Sequence, residues 1–224
     1  MIYQTQELFD LEHSLAGSYL AGFQYPWQAL AGIGDLILAL GKTLPPEEYE
    51  QITEHVWLHR TAKVAPSASI TAPCIIGPEA EVRHCAFIRG KALVGAQCVV
   101  GNSTELKNVI LFDCVQVPHY NYVGDSILGF RAHMGAGAVT SNVKSDKTLV
   151  VVHDRAAHME TGLKKFGAML GDFAEVGCNS VLNPGTILGR RCSVYPTSCV
   201  RGVVPADHIY KSQGQVVLRQ STNV

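Results

Sequence analysis

The sequence predicts a mainly β protein whose body is a parallel β-helix, a stack of six-residue turns running from about Val64 to Pro205. Three observations predict it. Written in sixes from Val64, the chain reads VAPSAS, ITAPCI, IGPEAE, VRHCAF, IRGKAL, VGAQCV, VGNSTE, LKNVIL, FDCVQV, PHYNYV, and the first position is aliphatic in eight of these ten blocks. The fifth position is small in the first seven, from Ala68 through Cys74, Ala80, Ala86, Ala92 and Cys98 to Thr104. After a hiccup of one residue the period resumes with LGFRAH and MGAGAV, and from Leu170 it returns with LGDFAE, VGCNSV, LNPGTI, LGRRCS and VYPTSC.

A six-residue period suits a coil of three flat faces, with the aliphatic side chain filling the interior and the small one permitting a tight corner, as expected for a solenoid repeat. A β-sandwich would instead show alternation of period two and hairpin turn pairs such as Asn-Gly, and neither is present. Cys74, Cys98 and Cys192 occupy the small position, which makes them compact apolar corner residues before it makes them redox groups.

The rhythm fails in two places. Residues 1–60 carry helical spacing, with Leu8, Leu11, Leu15 and Leu20, then Ile33, Leu36, Ile37 and Leu40; Pro45-Pro46 followed by Glu47 and Glu48 reads as a helix start. This predicts a helical cap or arm before a β-helix of residues 61–211 and a tail of residues 212–224. The second break, an excursion over residues 140–165, interrupts the coils with charges and the β-prone run LVVV. A long departure from a compact repeat is usually functional or disordered.

Composition narrows the function classes. The chain has 224 residues, 47% of them hydrophobic, enough for one main core and an appendage. Lys and Arg number 18 against 19 Asp and Glu, so no basic excess tracks a nucleic-acid backbone. The seven Cys form no C-x-x-C pair, which argues for reduced thiols. The longest apolar stretch, around Ile33 to Leu40, is too short to span a bilayer, and no leader pattern precedes it, so the expectation is a soluble, cytoplasmic protein.

The repeat also places residues above one another, since side chains eighteen apart lie one coil apart at roughly 4.8 Å. Arg89 and Lys107 are so related, and both fall at the second, outward position of a block. Two stacked cations read either as solvated surface charges or as an anion clamp, an Arg fork beside a Lys point charge. His119 takes the same outward position in PHYNYV, where an exposed imidazole beside a carboxylate can accept a proton. Glu105 lies on the adjoining coil, and Tyr122 follows as a donor. A three-His zinc site is the competing chemistry. His153 and His158 fall in the excursion, however, and His84 and His133 share no register with them, so no metal is expected.

The run GNSTELKNVILFDCVQVPHYNYVGDSILGFRAHMGAGAVTSN resembles the acetyltransferase domain of bacterial N-acetylglucosamine-1-phosphate uridyltransferase. The resemblance extends over roughly Trp57 to Lys211 and is most specific from Val100 to Asn142. It implies a left-handed β-helix and a homotrimer with sites between subunits. It further implies that His119 is the general base on the amino group of glucosamine 1-phosphate, which attacks the thioester of acetyl-CoA, with Glu105 supporting His119. Arg89, Lys107, Tyr122 and Lys165 would hold the sugar phosphate. Acetyl-CoA would meet the backbone at Ala136 and residues near Asn142, Cys178 and Pro196.

Three departures qualify it. No uridyltransferase half precedes the coils, so no pyrophosphorylase activity is expected, and a separate nucleotidyltransferase is a candidate partner. His133 stands where the family has a sugar-contacting Asn, which leaves the aminosugar open. The family's basic tail is replaced by VVLRQSTNV. The expectation is therefore an aminosugar-1-phosphate N-acetyltransferase, against the alternative of a sugar-phosphate or nucleotide-sugar binding or regulatory module without turnover.

Overall fold

The computed structural model describes residues 2–154, 157–211 and 214–219. The chain winds as a left-handed parallel β-helix of about eight turns. Along the chain each coil visits a first, then a third, then a second face. The first face stacks Val56–His59, Cys74–Ile76, Ala92–Val94, the ends of Glu105–Leu111 and Tyr122–Leu128, Ala168–Leu170, Thr186–Leu188 and Val203–Val204. The third stacks Lys63–Val64, Glu81–Val82, Val99–Asn102, Gln116–His119, His133–Met134, Glu175–Val176, Ser193–Val194 and His208–Tyr210. Between them the second runs from Ser69–Ile70 through Phe87–Ile88, the starts of Glu105–Leu111 and Tyr122–Leu128, Val139–Thr140 and Val181–Leu182 to Cys199–Val200.

The corners explain the period. Glu79, Cys85, Lys91, Gln97 and Ser103 have φ between 52° and 57° and recur every six residues. Each precedes a small, buried residue: Ala80, Ala86, Ala92, Cys98 and Thr104. A turn bond closes several of these corners, as from Ala86 N to Arg83 O and from Thr104 N to Gly101 O. Positive φ at the third turn position is the type II pattern. A left-handed conformation costs a non-glycine residue roughly 1–2 kcal/mol, which the inter-coil ladder offsets at each corner.

The register departs from strict sixes. Positive φ recurs after five residues at Asn108 and again at Asp125, and Leu106 pairs with Val123, Leu111 with Leu128. Those coils are therefore one residue shorter than eighteen. The true blocks are LKNVI, LFDCVQ, VPHYNY and VGDSI, so Leu111, Val117 and Val123 take the inward aliphatic position. His119 is third in its block rather than second, and it remains exposed.

Of the helical cap or arm expected of the amino-terminal segment, the structure has an arm, and only part of it is helical. Its helices are short, α1 (Thr5–Leu8), α2 (Gly17–Leu20) and α3 (Ile33–Gly41), with a 3-10 helix at Pro26–Gly32. Residues 49–59 are not helical: Tyr49–Thr53 pairs antiparallel with Val56–His59, the first coil's own strand. The arm lies along the first face instead of closing the first coil. Phe9 packs on Phe112, His13 stacks on Phe130, and the Tyr3 hydroxyl accepts a bond from Ala206 N.

The reason is an apolar ladder on that face. Alternation turns the middle residue of each strand outward, and these are Ile75, Leu93, Ile110, Ile127, Met169 and Ile187, all buried. Covering six such side chains stabilises by on the order of 10 kcal/mol, which makes the arm part of the folded body. Buried Asp172 fastens it, accepting bonds from Asp10 N at 2.7 Å and Phe130 N at 2.9 Å and pairing with Arg190 at 3.2 Å.

The excursion leaves after Thr140, at the corner between the second and first faces, and returns at Ala168. It contains an antiparallel pair, Val151–Asp154 with Ala157–Glu160, the strand expected of LVVV. His153 and His158 are register partners in it, with ring centroids 6.4 Å apart. The described tail residues are not a free extension: Val216–Leu218 pairs antiparallel with His208–Tyr210. The end coils are thus each flanked by an antiparallel strand that covers a sheet edge. All seven Cys are unpaired, and Cys74, Cys98 and Cys192 are buried as corner residues. No helix of the described residues is long and apolar enough to cross a membrane.

Candidate active site

The second face and its two corners gather most of the residues singled out in the sequence. Outward alternation on this face turns Phe87, Glu105 and Tyr122 outward one above another, since Glu105 pairs with both. Arg89 and Lys107 continue the two lower strands toward the corner with the first face, and Arg89 N donates to Leu106 O. The predicted stacking of these cations holds.

The cations are not bare. Arg89 Nη1 donates to Glu105 Oε1 at 2.6 Å, and its guanidinium lies over the Phe87 ring at 5.9 Å. Lys107 Nζ donates to both carboxylate oxygens of Asp125 at 3.1 Å each. The bond to Glu105 raises the Arg89 pKa further above its ordinary value. Among the described residues no hydrogen bond joins Glu105 to His119; the carboxylate goes to Arg89.

Asp125 is the residue that sequence reasoning missed. It is 4% exposed and, besides Lys107, accepts bonds from Asn108 Nδ2 at 2.9 Å and from Asn142 Nδ2. Buried charges need such partners, because an unpaired carboxylate in the interior is strongly disfavoured. Asn142 Nδ2 also donates to the Tyr122 hydroxyl at 3.2 Å. Burial is the main cause that pushes the Tyr122 phenol above its usual range; Asp125 and Glu105 add to it, while Asn142 and Arg89 oppose. Gly124 makes the space, for a Cβ there would lie 2.8 Å from Tyr122 Cζ. The signal was in the sequence as Gly124 followed by an acid at a five-residue block.

His119 stands on the other corner, where the third face turns into the second. It pairs with Asn102 below, and Gly137 N donates to His119 O from the coil above. Gln116 pairs with His133 and His133 with Glu175, so the same register carries His119 up to Ala136 and Cys178, and Pro196 follows one coil higher. The four residues form one column along the prism edge.

Two residues stand apart. His133 lies on the third face, its Nδ1 2.8 Å from Glu175 Oε2, beside a groove of about 500 Å³ lined by Gln97, Cys114, Gln116 and Arg131. It shares no face with Arg89 and Lys107 in one chain. Lys165 is exposed where the excursion returns; its neighbour Phe166 is buried against Trp27 and donates its N–H to Asn142 O.

A family profile described as the GMPPB C-terminal domain matches residues 70–216, most of the β-helix. The chain belongs to the GMPPB C-terminal domain family. Every residue of the second-face cluster and of the His119 column falls within that match. The Bifunctional protein GlmU of Methanococcus maripaludis is 27% identical over 202 residues, covering 88% of this chain and 48% of the relative. That of Nostoc sp. is 31% identical over 189 residues, covering 83% and 36%. The chain thus spans less than half the length of these curated relatives. Among solved structures, a mutant of AntD, an N-acyltransferase from Bacillus cereus, in complex with dTDP-4-amino-4,6-dideoxyglucose and coenzyme A, is 14% identical with a TM-score of 0.42, covering 78% of this chain and 91% of that one.

Proposed function

We propose that this protein is an acetyl-CoA-dependent sugar N-acetyltransferase whose acceptor is an aminosugar 1-phosphate such as glucosamine 1-phosphate. The observation that carries the reading is the pairing of a cation-bearing face with an exposed histidine at its edge. Arg89 and Lys107 stand at the far end of the second-face strands from the His119 corner, with Tyr122 at the near end of its strand between them, an arrangement that would place an anion at one end of a sugar and its amine at the other. The similarity to the bifunctional GlmU proteins of Methanococcus maripaludis and Nostoc sp. supports the acetyl-transfer half of the proposal.

In this reading the sugar phosphate draws the Arg89 guanidinium from Glu105 and bridges to Lys107, a charge-assisted contact stronger than a neutral one. His119 accepts the proton from the attacking amine as the N–C bond to the acetyl carbon forms; the C–S bond then breaks, and CoA leaves as the thiol after taking up that proton. Acetyl-CoA lies along the column of Ala136, Cys178 and Pro196, where a backbone N–H polarises the thioester carbonyl. His133 then contributes from a neighbouring copy in a homotrimer, because it lies on a different face from the clamp.

A second reading, a sugar-phosphate or nucleotide-sugar binding module without turnover, is favoured by one observation: each clamp cation already has a carboxylate partner. Thiol release from acetyl-CoA with a panel of aminosugar 1-phosphates, beside calorimetry with the same compounds, tests both. Thiol release with one member supports the transferase; binding without release supports the module.

A further inference from the structure

We infer that the amino-terminal arm positions the phosphate-binding lysine, through the chain Leu30 O, Asn108, Asp125 and Lys107. The inference rests on the proposed role of Lys107 and goes beyond it by giving the arm a part in the site.

The arm's 3-10 helix, Pro26–Gly32, lies behind the corner that carries the clamp. Asn108 Nδ2 donates to Leu30 O at 3.2 Å and to Asp125 Oδ1 at 2.9 Å. One primary amide has two N–H groups, so one amide ties the arm's backbone to the carboxylate. Asp125 in turn holds the Lys107 ammonium on both oxygens. Asn108 is 9% exposed and Asp125 4%, so these bonds have little competition from water.

The same short helix supports the other side of the site. Trp27 stacks on Phe166 with ring centroids 5.9 Å apart. Phe166 N donates to Asn142 O at 3.0 Å, and Asn142 Nδ2 reaches Asp125 and Tyr122. Asp125 is therefore held from two directions, and both lead back to residues 27–30. A lysine on a flexible stem loses rotamer freedom when it binds phosphate. A carboxylate fixed from behind restricts that freedom beforehand, which is preorganisation of the ligand site.

Asn108→Gly is the direct test. It removes both bonds, leaves the charge unchanged and suits the positive φ at this corner. Phe9→Leu serves as a control, because Phe9 packs the arm on Phe112 far from the clamp. Relative to wild type, Asn108→Gly should raise the KM and the calorimetric Kd for glucosamine 1-phosphate about tenfold, with kcat and the KM for acetyl-CoA little changed. Phe9→Leu should lower the unfolding temperature without moving either constant. Asn108→Ser, which keeps one donor, gives an intermediate shift and a second measurement should the glycine variant not fold.

A raised Kd on Lys107→Ala together with unchanged constants for Asn108→Gly and Asn108→Ser overturns the inference alone. Equal shifts in Phe9→Leu and Asn108→Gly also overturn it, because the effect would then follow stability. Absence of glucosamine 1-phosphate binding to wild type, or an unchanged Kd on Lys107→Ala, overturns the functional reading and the inference together.

Discussion

Lys107 binds Asp125 on both carboxylate oxygens, at 3.1 Å each, and Asp125 is buried while Lys107 keeps a quarter of its side chain exposed. The pair faces inward to the fold on one side and outward to the second face on the other. Lys107→Ala should therefore act twice. It should raise the KM for a sugar phosphate by about ten- to a hundredfold, the worth of one charge-assisted contact. It should also lower stability by about 1–3 kcal/mol, because Asp125 keeps only its amide donors. Arg89→Ala removes an exposed guanidinium and should raise KM while leaving the urea midpoint unchanged. Steady-state kinetics beside urea unfolding separates the two patterns.

The first-face ladder predicts where stability resides. Ile127 is fully buried between the β-helix and the arm, and Ile127→Ala should cost about 2–5 kcal/mol. Val139 occupies the corresponding outward position on the second face and is only partly buried. Val139→Ala should cost no more than about 1 kcal/mol. Urea midpoints of the two variants check the contrast, and equal losses would mean that the arm does not cover the ladder.

Gly101 lies one coil below Pro118, next to the column that carries His119. A Cβ at Gly101 would collide with the Pro118 carbonyl, a backbone atom that cannot turn away. Gly101→Ala should force the coils apart there, lowering the unfolding temperature by several degrees and acetyl transfer with it. Gly162, whose Cβ would meet nothing within 4 Å, is the comparison site, although its φ of 70° limits the expected cost of Gly162→Ala to roughly 1–2 kcal/mol.

Buried acids set an alkaline limit. Burial pushes the Cys192 thiol from 9.0 up to about 12, and those of Cys74 and Cys98 higher still. The phenols of Tyr3, Tyr49 and Tyr122 are raised above 10.0 for the same reason. The folded state keeps protons that the unfolded chain releases, so stability is full below the unfolded values and falls as pH rises through about 9–10 and beyond. The urea midpoint should decline from about pH 8 to about pH 10.5. A flat midpoint over that range would contradict the burial of these groups.

The repeat was legible because its inward residues recur in a fixed order, and Ala80, Ala86 and Ala92 mark the same corners as the positive φ of Glu79, Cys85 and Lys91. The clamp was legible by counting eighteen from Arg89. Counting failed at Asn108 and Asp125, where a corner is made with one residue fewer, and that hid both the true position of His119 and the carboxylate behind Lys107. The arm's place was readable in principle: apolar residues at the sixth position of every third block, from Ile75 through Leu93, required a cover. The partition of Glu105 between Arg89 and His119 was not readable, since it depends on side-chain reach that spacing does not fix.

The proposed reaction is acetyl transfer with His119 as the base. Its most direct measurement is thiol release from acetyl-CoA on glucosamine 1-phosphate by wild type and by His119→Ala, with glucosamine 1-phosphate binding followed in parallel. We expect turnover by wild type, a loss of at least a hundredfold in kcat for His119→Ala, and a Kd for the sugar phosphate unchanged within about twofold. Equal turnover by the two proteins, or binding without turnover by wild type, would contradict it.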